Sequence, residues 1–126
     1  MTGKVEKNKK GWQMMKIFTY KDGYDGQFYK LKFMFTNTNG RIGIVLVSEK
    51  SIPFGLLTAN LGTTHGVVFP LASTEFLDWL EEIGAGNYLG VDEVRGFNAF
   101  PLFKFDKEFL RNANPEQFDK FFAGVD

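Results

Sequence analysis

The chain of 126 residues has no cysteine and a single histidine, His65. Without thiols there is no disulfide, thiolate zinc site, iron–sulfur cluster or cysteine nucleophile, so packing has to hold the fold. No apolar run approaches the roughly 18 residues of a membrane-spanning helix. The stretch from Met1 to Lys10 is polar and lacks the apolar segment of a secretory signal, and no lipidation motif stands out. A cytoplasmic location with no membrane partner is the resulting expectation. Nucleotide signatures are missing too. Neither a Gly-x-x-x-x-Gly-Lys-Ser/Thr loop nor a Gly-x-Gly-x-x-Gly turn between strand and helix occurs, so turns account for the 14 glycines. Asp22, Asp25, Asn37 and Asn39 offer oxygens, but not with the spacing and terminal glutamate of an EF-hand loop. Neither a metal nor a cofactor is expected.

What is present points to one domain. At 14.3 kDa with 44% hydrophobic residues the chain has room for a single core. Phenylalanine occurs 15 times, against about five for ordinary composition, so most of the rings belong in that core and a few remain as interface anchors. The 15 basic and 15 acidic side chains cancel, yet they are segregated. Residues 1–50 hold ten basic against four acidic side chains, and residues 51–126 hold five against eleven. Such a division either steers a charged partner or draws the two halves of the fold together.

Residues 1–11 have little to bury and predict a flexible basic arm, followed by a single α+β domain over 12–126. Residues 12–20 are β-prone, and Asp22-Gly23 and Asp25-Gly26 are turn signals. Tyr29, Leu31, Phe33 and Phe35 alternate with Phe28, Lys30, Lys32 and Met34, which predicts a strand with one buried and one partly basic face. Asn39-Gly40 predicts a type I′ hairpin into residues 41–48, a central strand that is apolar on both faces around Gly43. Residues 51–55, with Pro53, predict a turn, and 56–61 a fourth meander strand. After a short run at 67–69, Ser73 or Thr74 is placed to cap a helix to Ile83. Phe76, Leu77, Leu80 and Ile83 form its apolar stripe, and Gly84 ends it.

Residues 84–90 read as a loop, 91–95 as a weak segment, and 96–105 as a final strand with Phe97, Ala99, Phe103 and Phe105 on one side. Pro101 there implies an edge or a bulge. Asp106 predicts a short capped turn, and Asn114-Pro115-Glu116-Gln117 opens a short C-terminal helix over 115–123. Together these predict an α+β fold: an antiparallel meander sheet of about five strands with one amphipathic helix packed on it and a short C-terminal helix.

Reactive chemistry has one candidate centre, His65 beside Thr63 and Thr64, and nothing in the spacing brings a second catalytic group to it. We therefore expect no enzyme. The basic half supports a nucleic-acid reading, with Lys7, Lys9, Lys10, Lys30, Lys32 and Arg41 on phosphates and Tyr24, Phe28 and Tyr29 available for stacking. The acidic half supports a protein partner bound by Glu75, Asp78, Glu81 and Glu82 around the helix and by Asp92 and Glu93 after it. An antiparallel edge or the Phe-rich last helix is also compatible with a homodimer.

Four segments carry a resemblance: Asn39-Gly40-Arg41-Ile42-Gly43-Ile44-Val45-Leu46, Leu57-Thr58-Ala59-Asn60-Leu61, residues 76–84, and Gly96-Phe97 ahead of Phe100-Pro101-Leu102-Phe103. Over residues 29–105 the chain resembles a family of small domains of unknown function carried by bacterial phages and mobile elements. The resemblance implies a small α+β accessory protein and assigns no catalytic residue. By analogy with mobile-element proteins of this size, it implies a non-enzymatic protein-binding function. The chain would be a stoichiometric inhibitor of a bacterial defence effector such as a CRISPR nuclease, with a host protein or nucleoprotein complex as partner.

Overall fold

Alternating burial along one long strand organises the first half of the chain. The structure is a computed structural model that describes residues 15–62 and 66–122, so the predicted arm and His65 lie outside the described residues. Strand β1 (Phe18–Lys21) is followed by β2 (Phe28–Thr38), β3 (Arg41–Ser48) and β4 (Pro53–Leu56), which form a four-stranded antiparallel sheet in sequential order. β2 buries Leu31, Phe33 and Phe35, as the alternation predicts. Asn39 and Gly40 both have positive φ, 54° and 79°, and Thr38 pairs with Arg41 to close the two-residue turn. β3 is central, with Ile44 and Leu46 buried on one face and Val47 on the other.

The second half departs from the expected single meander. β5 (Val68–Pro70), β6 (Gly86–Arg95) and β7 (Asn98–Phe105) make a separate antiparallel sheet ordered β5-β7-β6, so seven strands lie in two sheets. The cause is a change of partner after β4, which ends at Leu56 instead of running to Leu61. Leu57 N–H donates to Ile44 O in the first sheet, while Leu57 O accepts from Ala72 N–H and Ala59 N–H donates to Pro70 O beside the second. Thr58 and Leu71 form the bridge between the two sheets. Pro53, expected in a turn, opens β4 opposite Val47, where an edge strand tolerates its missing N–H.

β6 occupies residues read as a glycine loop and a weak segment. Pro101 lies in the middle strand β7, which corrects the edge reading, but it faces Asp92 where the β6–β7 register shifts between Tyr88 and Asp92. The irregularity falls where proline cannot donate, and the other side of β7 stays bonded through Leu71 N–H to Pro101 O.

Helix α1 (Leu77–Glu82) is shorter than predicted, because Ser73 Oγ accepts from Glu75 N–H in a local turn and Phe76 stands at the N-cap position without a side-chain bond. Gly84, at φ 84°, ends it as expected. Asp106 caps a full helix, α2 (Lys107–Ala113), through Phe109 N–H, and α3 (Pro115–Phe122) follows. Asn114 Oδ1 caps α3 by accepting from Gln117 N–H, while Gln117 Oε1 accepts from the Asn114 side-chain amide, the Asn114 backbone N–H going to Leu110 O. The two side chains also satisfy the edge of β2 beyond the short β1. Asn114 Nδ2 donates to Phe33 O at 3.0 Å, and Gln117 Oε1 accepts from Phe35 N–H at 2.8 Å. The buried apolar residues of both sheets and all three helices, Val47 on the other face of β3 excepted, form one cluster, rich in rings such as Phe33 stacked on Trp79 and Phe69 edge-on to Phe105.

Candidate interaction surface

The β6–β7 hairpin has a buried base and an exposed tip. At the base Gly86 pairs with Phe105 and Tyr88 with Phe103, both phenylalanines being fully buried. The ladder then breaks over residues 89–91, where Gly90 has φ 85°, and resumes from Asp92 to the Arg95–Asn98 pair. Gly96, at φ 64°, and Phe97 form a two-residue loop with glycine first, as a type II′ turn requires. In the break and beyond it apolar side chains face water: Leu89, Val91 and Val94 are exposed, and Phe97 is completely so at 107%. Arg95 holds the tip in place, donating from Nη2 to Leu61 O at 2.9 Å and pairing through Nε with Glu93 at 3.0 Å.

The predicted acidic residues divide into two groups. Glu81 accepts from Tyr88 N–H at 2.9 Å, which joins α1 to β6. Asp92 accepts from the Tyr88 hydroxyl at 2.8 Å, and that bond raises the phenol's pKa. With Glu93 on Arg95, these three carboxylates serve the fold. Glu75, Asp78 and Glu82 are exposed around α1. The charge of Glu75 adds to burial in raising the pKa of Tyr20.

The predicted basic residues are not gathered. Lys30 is exposed on β2, and Lys32 Nζ donates to Glu49 O at 2.9 Å. Arg41 pairs with Thr38, eight residues further along β2 than Lys30, or roughly 26 Å at about 3.3 Å per residue. Lys7, Lys9 and Lys10, like Thr63, Thr64 and His65, lie outside the described residues. Exposed aromatics occur here too, with Tyr24 in the β1–β2 turn and Phe28 under the Lys21 ammonium at 5.7 Å. In the same turn the Tyr29 hydroxyl donates to Asp25 at 2.6 Å and holds that carboxyl below the usual range. Among the described residues no three His, Asp or Glu side chains converge to hold a metal ion, and no helix is long and apolar enough to cross a membrane.

Reasoning from sequence missed the hairpin tip by placing Phe97 inside a strand over 96–105, on one side with Phe103 and Phe105, whereas the strand starts at Asn98. The available signal was a glycine-first pair, Gly96-Phe97, between two segments able to alternate. No protein-family model matches the chain, and comparison with curated proteins and with solved structures found no match either.

Proposed function

We propose that the chain is a non-enzymatic protein-binding module anchored by the tip of its β6–β7 hairpin. The observation that carries this reading is Phe97, a phenyl ring that buries nothing in its own fold and stands on a turn held by Arg95. Aromatic side chains so presented are favoured interface anchors, and seating one in a partner's pocket contributes about 2 kcal/mol. Val94 and Val91 widen the apolar contact, and the exposed carboxylates of α1 favour a pocket with a basic rim. The resemblance to phage-carried domains supports a bacterial defence effector, a CRISPR nuclease among them, as the protein bound and blocked.

The test presents immobilised wild-type chain and its Phe97→Ser variant to bacterial lysate and to purified effectors. A protein retained one-to-one by the wild type and lost by an equally stable variant is the expected result. Retention indifferent to Phe97 removes the hairpin from the proposal, and turnover of a small molecule removes the proposal itself. Salt-sensitive retardation of DNA or RNA would favour the nucleic-acid reading, against which the separation of Lys30 from Arg41 weighs.

A further inference from the structure

On the outer face of the first sheet, beside the Asn39-Gly40 turn, a cavity of about 230 Å³ has Ile42 and Leu56 as apolar walls and is otherwise lined by Thr36, Thr38, Arg41, Gly43, Thr58 and Asn60. We propose that it binds a tetrahedral oxyanion, a phosphate group, through the Arg41 guanidinium and the hydroxyls of Thr36, Thr38 and Thr58, the first and last of which stand over Gly43. Its lining contains one cation and no carboxylate. Arg41 makes a single long hydrogen bond, Nη1 to Asn60 Oδ1 at 3.4 Å, and no ion pair among the described residues, and its guanidinium lies beside Gly62, where a Cβ would come within 3.2 Å of Cζ.

Thr58 is 3% exposed and its Oγ1 accepts from Ile44 N–H at 3.0 Å, so the hydroxyl hydrogen is left to donate, with no acceptor among the described residues. A buried donor of this kind needs an acceptor. Gly43 keeps the space open, because a Cβ there would lie 2.8 Å from Thr36 Oγ1 and 3.5 Å from Thr58 Oγ1. A glycine inside a strand marks close approach of this sort.

The donor set selects the anion. A guanidinium and three hydroxyls offer more hydrogens than the two oxygens of a carboxylate need in this small space, and they suit the three or four oxygens of a phosphate. The cavity is below the roughly 300 Å³ at which drug-sized ligand sites begin, so it takes a phosphate head group and not a whole nucleotide.

The test titrates the full, isotope-labelled chain with inorganic phosphate, glycerol 3-phosphate, and acetate or chloride at matched ionic strength, following backbone amide signals. Saturable shifts of Gly43, Thr58 and Asn60 with either phosphate compound are expected. Tighter binding of glycerol 3-phosphate assigns the site to a monoester, and tighter binding of inorganic phosphate to the free ion. Thr36→Val and Arg41→Gln should each weaken binding roughly tenfold while leaving thermal unfolding unchanged. Arg41 is exposed, so its variant remains informative if Thr36→Val fails to fold. Equal affinity for acetate, unsaturable shifts scattered over the lysines, or indifference to Arg41→Gln would overturn the proposal.

Discussion

The two long hairpins of this protein both reverse through two-residue loops and differ in what lies behind the turn. β2–β3 keeps an unbroken register from the Leu31–Ser48 pair to the Thr38–Arg41 pair, and its inner face is buried through Phe35 and Ile44. β6–β7 is buried only at its base. After the break at residues 89–91, no side chain of β6 is buried, and of the last strand only residues from Pro101 onward turn inward. In the first hairpin the core dictates the side chains and the turn supplies geometry. In the second, the bulge frees the tip from the core, so the choice of phenylalanine at its apex owes nothing to packing.

The strongest way to break this comparison is at the base of the second hairpin. Gly86 has no room for a side chain, since a Cβ would strike the Lys104 carbonyl oxygen and come within 2.8 Å of the Phe105 Cα. Backbone on both counts cannot yield as a side chain could. Gly86→Ala should therefore destabilise by roughly 3 kcal/mol, read as a lower urea midpoint with unchanged slope. If the cost is small, the base is not fixed and the tip is not held on a rigid support.

The first hairpin depends on helix side chains that finish its edge. Asn114→Ala removes the bond to Phe33 O and the oxygen that accepts from Gln117 N–H, at a position only 1% exposed. About 2 kcal/mol should be lost, with earlier amide exchange at Phe35, whose N–H relies on a Gln117 that Asn114 orients. Gly40 and Gly96 both have positive φ and open space where a Cβ would go, so Gly40→Ala and Gly96→Ala each carry a purely conformational cost of roughly 1–2 kcal/mol, read in denaturant titrations. A loss near zero at either position would mean that its turn relaxes to accept the side chain.

Features set by neighbouring residues were readable in advance. The alternation of β2, the Asn39-Gly40 turn, the Gly84 helix stop and the Asn114/Gln117 cap each depend on spacings of a few residues. What escaped depends on partners distant in the chain. Nothing local announces that Leu57 will bond one sheet through its N–H and the other through its carbonyl, and this division is what splits the meander. β6 was hidden because Gly86 and Gly90 lower strand propensity, a preference that pairing with the phenylalanine-rich β7 overrides. At the candidate site, Glu75, Asp78 and Glu82 are exposed, as side chains outside the Phe76, Leu77, Leu80 and Ile83 stripe. The internal use of Glu81 and Asp92 requires knowing where Tyr88 falls.

The smallest expected change in stability makes the sharpest statement about the tip. Phe97 has no buried surface to lose, so Phe97→Ser should leave the unfolding midpoint within about 0.5 kcal/mol of wild type. The matched substitution Phe35→Ser, in the first hairpin, removes a ring that is 2% exposed and packed edge-on against Phe122, and should cost several times more. Denaturant titration of the pair measures how completely the bulge uncouples the tip. A substantial loss with Phe97→Ser would show that the ring has an intramolecular seat after all, and the apolar tip would then be part of the fold and not a surface offered to a partner.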